Sequence, residues 1–165
     1  MVISNSSPLI HLTKLGKINY LLELFKEIKI PKEVFQEVVV KGKLNNFIES
    51  FLIENLIKED KIVVINLGSF DKSFYPPLGN GEIEALELAK QNSSLLLIDD
   101  AKARNLAQIF KIENQTTIAT IFELLIAGII NIREYKTNLK KYAENSWISA
   151  DVLQEYIEKG EKYGR

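Results

Sequence analysis

The sequence predicts an α/β domain organised on a mostly parallel sheet, because short apolar runs alternate with segments of helical period and the junctions between them carry capping or turn residues. Strands are expected at 2–5 (VISN), 28–30 (IKI), 62–66 (IVVIN), 95–98 (LLLI) and, on a weaker pattern, 112–114. Helices are expected at 8–15, 17–26, 32–40, 45–58, 82–91, 101–110, 118–128, 133–144 and 149–160.

The boundaries have their own chemistry. Ser7-Pro8 reads as an N-cap followed by proline in the first helical position, and Pro31 opens the helix after IKI. Ser149, with Asp151 in the first turn, starts the last helix, and Gly160 is expected to close it in a left-handed conformation. The stretch Gly68 to Gly81 (GSFDKSFYPPLGNG) is the one long loop and reads as a connector rather than a lid. Near the C-terminus two amphipathic helices meet around Asn145-Ser146. There Trp147, Ile148, Val152, Leu153, Tyr156 and Ile157 form an apolar stripe, expected to pack on the chain's own core or else on a partner.

Composition excludes several kinds of function. With 165 residues, 46% of them hydrophobic and 26% charged, the chain has material for one buried core. Lys and Arg number 21 against 22 Asp and Glu, a net charge of −1, so no overall field draws it to polyanions and any nucleic-acid contact is a local patch. The absence of cysteine removes disulfides, thiolate metal sites and thiol nucleophiles. The single histidine, His11, lies in an apolar helix (PLIHLTKL) and reads as a satisfied, partly buried side chain. A metal would therefore be a hard cation held by oxygen. The opening MVISNSSP does not resemble a signal peptide and no run approaches the ~20 apolar residues of a membrane span, so a cytoplasmic location is expected.

Parallel sheets bind ligands beyond the carboxyl ends of their strands, which directs attention to Asn5 after the first strand and Asp99-Asp100 after LLLI. On its own the acidic pair also reads as an N-cap facing a helix dipole. Glu82 is more informative. At about 100° per residue it falls near the centre of the face defined by Ile83, Ala85, Leu86 and Ala89, where a carboxylate is costly unless compensated, although acids also occur in first turns for the dipole alone. By the same rotation Glu37 lies on the flank of Val34, Phe35, Val38 and Val39, and periodicity by itself makes it a solvated flank residue. Carboxylates gathered at one sheet edge repel one another unless a divalent ion such as Mg²⁺ or Mn²⁺ relieves them, and such a site supports phosphoryl cleavage.

The segments SNSSPLIHL, IPKEVFQEVV, LGNGEIEALELA and LLLIDDAKARNLA, in this order and at these separations, resemble the PIN-domain family over about residues 1 to 130, in particular its compact, VapC-like toxin branch. The resemblance implies a three-layer α/β/α domain over 1–130, with residues 131–165 a helical extension packed on it. It implies an Mg²⁺- or Mn²⁺-dependent endoribonuclease, often the toxin of a toxin–antitoxin pair and often a homodimer, so that RNA and a small antitoxin protein are the expected partners. Position by position, its four acidic positions fall on Asn5, Glu37, Glu82 and Asp100, with Asp99 an adjacent candidate ligand. Thr117 corresponds to a polar residue beside the metal, and alternatively is a helix N-cap. Lys102 and Arg104, like Lys41 and Lys43, are candidates for RNA phosphates.

Asn5 departs from the family pattern, which has aspartate there. A neutral carbonyl oxygen can ligate a metal but brings no charge, so a catalytically degenerate domain that binds RNA or protein is the alternative. A phosphate-accepting receiver domain would also carry an acidic pair at a strand end, but after its first strand, where this chain has Ser4-Asn5-Ser6.

Overall fold

The computed structural model describes residues 1–163. Among them five parallel strands, β1 (Val2–Ser4), β2 (Ile28–Pro31), β3 (Ile62–Ile65), β4 (Leu95–Leu97) and β5 (Asn114–Gln115), form one sheet in the order β3-β2-β1-β4-β5. The helices are α1 (Ser6–Lys14), α2 (Ile18–Phe25), α3 (Lys32–Phe35), α4 (Gly42–Leu44), α5 (Ile48–Lys58), α6 (Asn80–Asn92), α7 (Ala101–Ile109), α8 (Thr117–Ile126), α9 (Ile132–Glu144) and α10 (Ala150–Tyr163). None of these is long and apolar enough to cross a membrane.

Because side chains alternate across a strand, the apolar runs feed two separate cores. Val2, Ile28, Ile30 and Leu97 point into the larger one with Leu9, Leu12, Ile53, Ile118 and Ile121, whereas Ile3, Leu96 and Ile98 meet Ala85, Leu86, Ala103 and Ala107 on the other face. The predicted three-layer α/β/α arrangement follows. Each fully buried Leu or Ile contributes roughly 1.5–3 kcal/mol. Tyr135, Leu139 and Tyr142 of α9 belong to the larger core, so the C-terminal helices share it.

Several local expectations change. The first helix begins at Ser6, with Asn5 in the N-cap position but making no side-chain cap bond, which puts Pro8 third rather than first; proline is tolerated there because no intrahelical bond requires its N–H. The predicted helix 32–40 runs on to Leu44 through a π-helical segment, Gln36–Lys41, and the predicted 45–58 helix starts later because Asn46 turns the chain with φ 58°. The last strand lies at Asn114–Gln115 rather than 112–114. Ile112 instead completes the end of α7, where Lys111 takes φ 57° and the Ile112 N–H donates to the Ala107 carbonyl at 2.8 Å, a Schellman closure.

The loop before α6 is fastened down, as a connector would be: the Tyr75 hydroxyl donates to Glu87 and its ring meets Phe110 edge-on at 5.7 Å. In the C-terminal stripe, Ile148, Leu153, Tyr156 and Ile157 pack against the larger core, but Trp147 and Val152 do not. In the non-helical stretch between α9 and α10 the inward position goes to Ile148, and the indole is left in solvent.

Gly160 does not end α10, which continues to Tyr163; it lies inside the helix where the buried Tyr135 ring crosses, and a Cβ there would approach Tyr135 Cδ1 to 2.7 Å. The same tyrosine donates its hydroxyl to the Tyr156 carbonyl at 2.6 Å. Gly160→Ala is therefore expected to lower stability by about 1–3 kcal/mol through overpacking, and Tyr135→Phe by about 0.5–1.5 kcal/mol through the lost hydrogen bond. Urea midpoints at constant slope measure both.

Candidate functional site

The strand order reverses direction at β1, which has β2 on one side and β4 on the other, so the crevice beyond these two strand ends is the natural ligand position. Asn5 leaves β1 there and is held by its backbone, whose N–H donates to the Leu97 carbonyl at 3.0 Å. The side chain is only 4% exposed, and its Oδ1 accepts no hydrogen bond. An acceptor left in that condition costs roughly 1–3 kcal/mol, and a cation is one partner that would satisfy it.

Glu37 reaches the same region by a route that regular helical rotation does not anticipate. It lies in the π-helical segment, where each turn holds more residues than an α-turn, so the flank position inferred from 100° steps no longer applies. The Ser6 hydroxyl donates to Glu37 Oε2. Gly81, in the first turn of α6, leaves the space: a Cβ on it would lie 2.8 and 2.9 Å from the two carboxylate oxygens of Glu37.

Glu82 follows directly and accepts the backbone N–H of the α6 cap residue Gly79 at 2.8 Å. The apolar face around it is as predicted, with Ile83, Ala85, Leu86 and Ala89 buried. Burial raises the Glu82 pKa above the ordinary glutamate value; the Gly79 hydrogen bond opposes this, and the charges of Asp100 and Glu37 push it further up. Three carboxylates from three separate segments thus act on one another. Asp100 caps α7, its Oδ1 accepting the Ala103 N–H at 2.8 Å, so the N-cap reading of the sequence holds for this residue alongside its proximity to Glu82.

Asp99 is committed elsewhere. Its two oxygens accept the backbone N–H and the hydroxyl of Thr117, both at 2.7 Å. Thr117 is fully buried and is the first residue of α8, whose cap is Thr116; its hydroxyl holds the half-buried Asp99 at the cleft wall instead of facing solvent. Arg104 donates to the Asp99 carbonyl. Beside these lies a cleft of about 710 Å³ whose walls include Glu82, Asp99, Asp100, Arg104, His11 and Trp147. His11 meets Tyr142 edge-on at 5.2 Å, and burial lowers its pKa below the ordinary histidine value against the opposing pull of Asp99.

The basic candidates separate. Arg104 lines the cleft, Lys102 is exposed on α7 outside its wall, Lys41 is exposed at the end of the π-helical segment, and Lys43 pairs with Glu54 at 2.8 Å. Among the described residues no group of three or more histidine and acid side chains stands in a ready-made metal arrangement. Carboxylates with no cation between them repel, and Asn5, a neutral oxygen donor, lies outside such a grouping by its chemistry. Ser6 and Gly81 were not singled out from the sequence. Their signal was there, in the SNS and GNGE segments, but nothing in periodicity ties a serine or a glycine to a glutamate from another element.

A family model described as a PIN domain matches residues 1–162, so the chain belongs to the PIN-domain family. No curated protein matches it. A solved structure, a domain of a functionally unknown protein from Methanocaldococcus jannaschii DSM 2661, is similar at 24% identity and a TM-score of 0.49, over 70% of this chain and 89% of that one. The family suggests a nuclease-type fold.

The raised Glu82 pKa carries a stability consequence. Between the ordinary glutamate pKa of 4.5 and its raised native value, the folded protein binds more protons than the unfolded chain, so stability falls as pH rises through that window. Above that window the ionised carboxylate opposes folding. Glu82→Gln keeps an acceptor for the Gly79 N–H, and is expected to raise the thermal midpoint at pH 7 while changing it little below pH 4.5, where glutamate is protonated in both states.

Proposed function

We propose that this PIN domain is a metal-dependent endoribonuclease that cleaves RNA phosphodiester bonds at the crevice beyond β1 and β4. The observation that carries the reading is geometric: Gly81, next to Glu82, borders the Glu37 carboxylate that Ser6 bonds, and Asn5, the residue before Ser6, has a buried Oδ1 without a partner; burial raises the Glu82 pKa, and the charges of Asp100 and Glu37 add to it. Oxygen donors of this kind fit Mg²⁺ or Mn²⁺, and Asn5, Glu37, Glu82 and Asp100 would hold the ion. Bound there, such an ion polarises a phosphate, activates water and steadies the leaving oxygen.

The chain's own part is positioning. Ser6 and the opening at Gly81 orient Glu37, the Gly79 N–H orients Glu82, and the Ala103 N–H fixes Asp100. Asp99, bonded to Thr117, keeps the end of β4 in register with α8 and serves as an adjacent rather than principal ligand. Arg104 on the cleft wall, with Lys102 on the same helix, supplies positive charge for RNA phosphates. The narrower role as the toxin of a toxin–antitoxin pair, with a small antitoxin, a homodimeric state and a cytoplasmic location, rests on family resemblance.

Asn5 favours one competing reading, a degenerate PIN domain that binds RNA or protein without cleaving. Calorimetric titration with Mn²⁺ separates the two. The nuclease reading expects micromolar-range binding that is lost in Glu82→Ala, together with Mn²⁺-dependent cleavage of single-stranded RNA by the wild type. No binding in either protein supports the degenerate reading. Asn5→Asp is expected to tighten Mn²⁺ binding by adding a charge, and abolished binding in that variant would remove Asn5 from the site.

Gly81→Ala tests the positioning of Glu37. Its methyl group would meet the Glu37 carboxylate, so Mn²⁺ affinity and cleavage should fall by roughly 10–100-fold, as for other groups that orient a ligand. Retained circular dichroism and an unchanged cleavage rate would contradict that role.

A further inference from the structure

Trp147 is the chain's single tryptophan and has a relative exposure of 108%, although its neighbour Ile148 packs on the core. A large indole held wholly in water forgoes burial that the same segment gives to Ile148, and a side chain so placed offers both ring faces. It is not remote: the cleft it lines also contains Glu82, Asp100 and Arg104. The chain also has a net charge of −1, so it lacks the broad basic surface that usually supplies affinity for a polyanion. With positive charge confined to Arg104 and Lys102 near the cleft, contacts to the uncharged parts of a nucleotide add affinity that needs no such field, and ring stacking is the sequence-tolerant form of that contact.

We propose that Trp147 is a stacking platform for an unpaired nucleobase of single-stranded RNA, holding a nucleotide at the rim of the cleft while the adjoining phosphate lies toward Glu82 and Asp100. This rests on the reading of the cleft as a ribonuclease site. A duplex keeps its base faces covered, so the platform selects unpaired RNA. Trp147 touches substrate away from the reacting phosphate, so it governs KM and leaves kcat in place.

The fluorescence of the single tryptophan reports the contact directly. In the Glu82→Ala background, which prevents turnover, a short single-stranded oligoadenylate should quench Trp147 saturably, and the same strand paired with its complement should not. By anisotropy of a labelled oligoadenylate, Trp147→Ala should weaken binding roughly 5- to 100-fold, with Trp147→Phe losing less, as expected for one stacked base. Because the ring is exposed, neither variant should change the thermal midpoint. With otherwise wild-type protein and Mn²⁺, Trp147→Ala should raise KM and keep kcat.

If Trp147→Ala binds and cleaves RNA like the wild type while Glu82→Ala is inactive, the platform is wrong and the nuclease reading stands. If the wild type neither binds nor cleaves single-stranded RNA, the nuclease reading fails and takes the platform with it. Tryptophan emission that shifts on dilution of the protein alone and ignores RNA would put the ring in a contact between protein chains, and overturn the proposal.

Discussion

Partial burial of the Glu82 carboxylate, with Glu37 and Asp100 acting on it, is the constraint around which this end of the molecule is arranged. A carboxylate taken partly out of water has its pKa raised by desolvation, and the raised Glu82 value reflects that first, with two further negative charges adding to it. Left alone, such a group would turn to solvent. Here the backbone of Gly79 holds it in the first turn of α6, and the apolar residues that follow keep the helix seated on the sheet. Carboxylates held in this way cluster at functional sites, because burial and like charges there shift pKa values away from what folding alone favours.

The surrounding structure maintains that arrangement through contacts that are individually ordinary. A π-helical segment redirects Glu37, a serine at the start of α1 bonds it, and a glycine in α6 leaves room for its carboxylate. Asp99 and Thr117 bind the end of β4 to the start of α8, which fixes the ledge from which Asp100 projects. π-helical insertions recur where a helix must present a side chain at a non-standard angle, and this one includes the glutamate that the family pattern singles out.

Much of the fold was legible because binary patterning dominates it. Short apolar runs set between helix-period segments place the strands at VISN, IKI, IVVIN and LLLI, and the buried face of α6 follows from Ile83, Ala85, Leu86 and Ala89. What was not legible depends on contacts between distant segments. Gly160 looked like a helix terminator and is instead the gap that admits Tyr135, a fact carried by a residue 25 positions away in sequence. Ile112 looked like strand and belongs to the closure of α7. Trp147 reads as part of an apolar stripe bound for the core or a partner, and although the break between the two helices is legible, which of Trp147 and Ile148 turns inward is not. In the site, the candidate positions at strand and helix ends could be named from the sequence, whereas the engagement of Asp99 by Thr117 and of Glu37 by Ser6 required coordinates.

The central claim is that Asn5, Glu37, Glu82 and Asp100 share one hard cation. Anomalous diffraction from crystals soaked in Mn²⁺ tests it most directly, since the scattering locates the ion independently of any activity. One peak bounded by Asn5 Oδ1 and the carboxylates of Glu37, Glu82 and Asp100 is the expected result. A peak elsewhere, or none at a saturating Mn²⁺ concentration, would contradict it.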